Sequence, residues 1–162
     1  MNSLYFESAN KIDLWKHNLP HWEQERKMQF VTFRLADSLP YSVRNELQDA
    51  KRRFYEKYPH PWNEEIEKLY YKSVGGNIEK WLDAGLGSCI LRSKDMRKIV
   101  ITAIEHVNRK RTDILGYVVM PNHVHILHVP FENETSGRII GSIRQYSARI
   151  INKAINRSGA LW

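Results

Sequence analysis

The chain has one cysteine in 162 residues. That excludes an internal disulfide and any metal site built from clustered cysteines. A single thiol fits a reducing, cytoplasmic compartment. Long apolar runs are also missing: none approaches the roughly 20 residues of a membrane-spanning helix, so no membrane partner is expected. The first residues include Glu7 and Asp13 and lack the basic-then-apolar order of a secretory leader. Internal repeats and low-complexity segments are absent as well. What is present is enough length for one domain, residues 1–162, with its own core, and an uneven charge. Up to Leu91, 13 Lys and Arg stand against 13 Asp and Glu; from Arg92 onward 12 stand against 5, so the whole net charge of +7 lies in the second half. A localised basic field points to a polyanionic partner.

Residues Met1 to Pro20 show no clear period and read as an arm. Gln29 to Leu35 is rich in β-formers and bounded by Asp37-Ser38 and Pro40, which predicts a strand. Ser42 is placed to cap a helix running to about Tyr58, and a second helix is expected from Trp62 to Trp81, with Gly75-Gly76 as an interruption. Ser93 is placed to cap an amphipathic helix carrying Met96, Ile99, Val100, Ala103, Ile104 and Val107. Ile114 to Met120 and Val124 to Val129 read as a hairpin around Pro121-Asn122. A last helix is expected from Ser136 to about Asn156. Without the block between Pro40 and Gly87 the order is strand, helix, strand, strand, helix. This is α+β, and one more strand would complete a ferredoxin-like βαββαβ core, an antiparallel sheet with helices on one face. Residues 41–82 are then a helical insertion after the first strand.

Two places carry chemistry. His123-Val124-His125 lies in a strand, where residues two apart share a face, so both imidazoles can reach one metal ion. His128 has the opposite parity and faces away, which argues against an alternating histidine-triad nucleotide hydrolase. Two imidazoles leave a divalent ion such as Mg²⁺ or Mn²⁺ short of ligands, so oxygen donors must complete the shell. The second place is the last helix. Ile139, Ile143, Ile150 and Ala154 form its apolar stripe, and Tyr146 lies about 20° from Ile139 on a helical wheel. Arg138, Arg149 and Lys153 lie on the same side, with Gln145 and Asn152 further round. Tyr146 fits either an amphipathic core tyrosine or a phenol beside a phosphate-binding face.

The run Met120-Pro121-Asn122-His123-Val124-His125 resembles the HUH motif of enzymes that nick single-stranded DNA with a tyrosine. Three further stretches extend the likeness: Leu19-Pro20-His21-Trp22-Glu23 with Phe30 to Pro40; Trp81-Leu82-Asp83-Ala84-Gly85-Leu86-Gly87-Ser88-Cys89; and Ser142 to Asn152 with Arg157 to Trp162. Together they resemble the REP-associated tyrosine transposases, relatives of the single-tyrosine HUH transposases of small insertion sequences. The resemblance implies a ferredoxin-like core and metal-dependent nicking and rejoining of single-stranded DNA beside hairpins through a 5′-phosphotyrosine. It implies His123 and His125 as ligands of Mg²⁺ or Mn²⁺, Tyr146 as nucleophile, and a monomer or homodimer acting at the nucleoid. Charge and helix face add Arg138, Arg144, Arg149, Lys153 and Asn152 as candidate DNA contacts. Relatives often carry Glu or Gln one turn after the tyrosine; here Ile150 stands there and cannot ligate. No segment near the end reads as the final strand. Two other readings stay open: a hairpin-binding protein of the same lineage that does not cut, and a metal-dependent hydrolase of small nucleotides.

Overall fold

A computed structural model describes residues 4, 5, 13–16, 20–23 and 26–162. Most of the arm lies outside the described residues. The part that is described corrects the reading of Met1 to Pro20 as unpatterned: β1 (Asp13–Lys16) pairs antiparallel with β2 (Pro20–Glu23).

The main sheet has three strands, β3 (Gln29–Arg34), β4 (Thr112–Val119) and β5 (His123–Pro130), in the order β3-β5-β4, antiparallel throughout. This is the order of the first three strands of a ferredoxin-like sheet. Along β5 the even residues Val124 and Ile126 face the core, with Phe33 from β3. Two helices cover that face. In α4 (Lys94–Val107) the buried residues are Val100, Ala103, Ile104 and Val107; in α5 (Ser136–Ala154) they include Ile139, Ile140, Ile143 and Ile151. The fold is therefore α+β, as expected from the pattern, with α4 and α5 on one face.

Among the described residues no fourth strand follows α5, and the main sheet keeps three strands. Leu35 N–H donates to Asn122 O, on the β5 side, and the next amide, Ala36 N–H, donates to Leu161 O. Leu161 therefore meets the chain at the turn that follows β3. Leu161 is buried and Trp162 packs edge-on against Phe33.

Between β3 and α4 lie α1 (Tyr41–Lys57), α2 (Glu64–Tyr70), a π-helical turn (Tyr71–Gly75) and α3 (Gly76–Asp83). The expected single second helix is thus divided, and the break is a widened turn that ends at Gly75. Ser42 does not cap α1: the cap position is Pro40, with no side-chain bond. Ser93 occupies the α4 cap position but its hydroxyl makes no cap bond. The α5 cap is Thr135, whose side chain accepts from Arg138 N–H.

Candidate metal and DNA-cleavage site

The turn before β5 is pinned from three sides: Leu35 N–H to Asn122 O, Leu91 N–H to Pro121 O, and Met120 N–H to His123 O. It delivers His123 and His125 to the sheet face opposite the helices. Their Nε2 atoms are 2.9 Å apart, with rings nearly perpendicular at 84°. Each outer nitrogen is held by an oxygen: His123 Nδ1 lies 2.8 Å from Asn122 Oδ1, and His125 Nδ1 lies 2.8 Å from Thr32 Oγ1. Asn122 Nδ2 donates to Leu86 O, which leaves its Oδ1 as acceptor. His123 therefore carries its proton on Nδ1 and turns the Nε2 lone pair inward. Oxygen-held imidazoles of this kind are the usual setting of metal-binding histidines.

His123 is 1% exposed. Burial, then the neighbouring His125, push its pKa below the ordinary histidine value, while Asp83 opposes the shift. The neutral, ligating form is thereby favoured. Asp83 ends α3, and its Oδ1 lies 4.0 Å from His123 Nε2 with the carboxylate exposed. Among the described residues no group of three or more His, Cys, Asp or Glu is already closed around a metal position.

The loop that follows Asp83 has a demanding backbone. Gly85 and Gly87 have φ of +66° and +86°, and a Cβ on Gly87 would meet Asp37 O at 2.4 Å. Ser88 N–H donates to Asp37 Oδ2, and Cys89 Sγ donates to Gly85 O. This loop carries Leu86 O to Asn122 and sets Asp83 beside His123.

Tyr146 stands elsewhere. It is 42% exposed on α5 and lines a groove of about 500 Å³ with Met96, Lys98, Ile99 and Thr102 of α4 and with Ile150. Arg149 lies 6.0 Å from its ring centroid. The groove opens on the outer side of the helix layer, because the buried faces of α4 and α5 are given to the sheet. Helices and sheet thus separate Tyr146 from the histidines of the same chain. Ile150, one turn on, belongs to the same groove and not to the histidine site.

The other candidate contacts divide. Arg138, Arg144, Arg149 and Lys153 are exposed on α5. Asn152 instead ties down the chain beyond α5. Its Nδ2 donates to Gly159 O, and its backbone carbonyl accepts from Arg157 N–H. His128 faces the core with no exposure, as its parity requires. Sequence reasoning assigned no role to Asp83, Asn122, Thr32 or Arg34. Asp83 and Asn122 were visible as neighbours of Gly85 and His123. Thr32 and Arg34 needed the register that sets them opposite His125 and His123.

The fold and site together define an α+β domain with two facing histidines on its central strand. Residues 90–162 match the family model described as "Transposase IS200 like". The matched stretch runs from α4 to Trp162 and holds both histidines and Tyr146, and it supports a role in DNA transposition or cleavage. No curated protein and no solved structure matches the chain.

Proposed function

We propose that this chain nicks and rejoins single-stranded DNA beside hairpins, using a divalent metal at His123 and His125 and a 5′-phosphotyrosine on Tyr146. The observation that carries this reading is the inward convergence of two imidazole nitrogens, each outer nitrogen held by Asn122 or Thr32. The donor set fits Mg²⁺ or Mn²⁺ in part: two nitrogens from the strand, with the Asp83 carboxylate, water and a phosphate oxygen left to supply the hard donors these ions prefer. When bound, the ion supplies charge neutralisation on the non-bridging phosphate oxygens.

The chain's own residues then divide the work. Asn122 and Thr32 hold the two rings in place. Tyr146 Oη gives up its proton and forms a bond to phosphorus as the bond from phosphorus to the DNA 3′ oxygen breaks, and the departing oxygen takes up a proton, so the step is proton-neutral. A phenol ordinarily ionises near pH 10, so as a leaving group it returns the phosphate readily to a 3′-hydroxyl. Rejoining is this step in reverse. Arg138, Arg149 and Lys153 offer charge on the Tyr146 side of α5.

The separation of Tyr146 from the histidines favours a second reading, a hairpin-binding protein of the same lineage that does not cut. One experiment decides between them. Hairpin-bearing single-stranded DNA incubated with protein and Mn²⁺ should yield a covalent adduct on denaturing gels, lost in Tyr146→Phe. Tight binding without an adduct supports the non-cleaving reading, and an adduct that persists in Tyr146→Phe removes Tyr146 as nucleophile. Mn²⁺ binding, read by the loss of its free-ion paramagnetic resonance signal, should vanish in His123→Ala with His125→Ala and weaken in Asp83→Asn.

A further inference from the structure

One basic side chain beside the histidines comes from β3 and not from α5. The antiparallel register places Arg34 directly opposite His123, on the same sheet face. Side chains so paired have Cβ atoms about 5 Å apart. Arg34 Nη1 donates to Leu35 O and Ser38 Oγ, which fixes the guanidinium with its other nitrogens uncommitted.

Helix α1 brings two more cations. Arg44 and Lys51 are seven residues apart and so share one face, with Leu47 between them. Leu47 packs, with Val43, against Leu39 and Leu82, at the end of the sheet where Arg34 and Asp83 stand. Lys51 is half-buried. Burial first, and then Arg34, lower the pKa of Lys51; burial first, and then Arg44, lower that of Arg34. Arg34 therefore stands close to both other charges and is repelled by each. Among the described residues the ion pairs engage Arg52, Lys68, Arg111 and His123, and none engages these three. Gathering three cations with no carboxylate in ion-pair contact costs stability unless an anion arrives.

We propose that Arg34, Arg44 and Lys51 form a phosphate-binding cradle that holds the phosphodiester backbone of a DNA strand beside the histidine pair. The inference rests on the single-stranded DNA reading above. It moves the phosphate contacts of the histidine site from α5 to β3 and α1. The charge is the kind that a diester oxygen attracts, and the Arg34 fork suits two oxygens of one phosphate.

The test uses the full chain and a fluorescent hairpin-bearing oligonucleotide, titrated across a range of salt concentrations. The variants are Arg44→Gln with Lys51→Gln, both on α1 and outside the Arg34 hydrogen-bond set, and Arg144→Gln with Arg149→Gln as the α5 comparison. For the α1 pair the expected result is an affinity loss of about tenfold or more, with the slope of log affinity against log salt shallower by about 1.4. Unchanged affinity and slope in that pair, with the wild type binding, overturns the cradle and leaves the wider reading standing. Failure of the wild type to bind any single strand overturns the wider reading itself. Inorganic phosphate at matched ionic strength provides a second arm. Thermal stabilisation lost in the α1 pair supports the cradle, whereas stabilisation by phosphate without oligonucleotide binding overturns DNA as its source.

Discussion

His128 lies five positions from His123 on the same strand, an odd count, and so meets the helices instead of sharing the face of His123 and His125. Thr112 Oγ1 donates to Val129 O, so it accepts from His128 Nδ1–H, and His128 Nε2 is left to face Ser136 Oγ. The ring is neutral there, and burial pushes its pKa down to about 4 from 6.5. Because the folded value lies below the unfolded one, this contribution is complete above pH 6.5 and is lost as pH falls toward 4. The expected loss is on the order of 3 kcal/mol. Urea unfolding of wild type and His128→Asn at pH 7 and pH 4.5 checks it: the variant should be less stable at pH 7 and lose less on acidification. His123 acts in the same direction and keeps part of the slope in the variant. The parity of all three histidines was legible from spacing alone, since a strand has only two faces. Their partners were not, because Thr32 and Thr112 come from neighbouring strands and Ser136 from the start of α5, and only the folded sheet and helix bring them to the rings.

Among the elements, the loop after α3 carries the most constraint per residue. Gly87→Ala would put a Cβ against the Asp37 carbonyl in a backbone region that L-residues avoid, and a cost of at least about 2 kcal/mol is expected. Thermal melting should show that cost. Mn²⁺ affinity should fall with it, since Leu86 O is the acceptor that orients Asn122. At the start of α5, Thr135→Ala removes the bond to Arg138 N–H and should cost about 1 kcal/mol in a urea titration, without a comparable loss of Mn²⁺ binding. The strands and the two core helices were legible because their apolar periods are strong. The caps were not: Ser42 and Ser93 have the right chemistry, but Pro40 already starts α1 and the Ser93 hydroxyl makes no cap bond. The β1–β2 pair escaped notice because Asp13–Lys16 and Pro20–Glu23 lack an alternating pattern long enough to stand out.

At the scale of the whole molecule, the helix layer stands between two halves of the proposed chemistry. The position of Tyr146 on its helix was legible from the wheel, but the face of the sheet on which that helix lies was not. Period specifies a buried stripe and leaves the layer to the chain's path. If a second copy supplies the tyrosine, a mixture of Tyr146→Phe protein with the His123→Ala, His125→Ala protein should recover adduct on the histidine-variant chain. If α5 instead swings within one chain, the mixture stays inactive while the wild type forms adduct. No helix of the described residues is long and apolar enough to cross a membrane. The Asn122 bond to Leu86 O carries a practical warning for anyone who would trim the chain to its sheet and two covering helices. A shortened version could keep every strand and still lose the amide that dictates which nitrogen of His123 bears hydrogen. The helices ahead of that loop thus help to set the His123 tautomer, and removing them would alter the acid–base chemistry of the pair before it altered its shape.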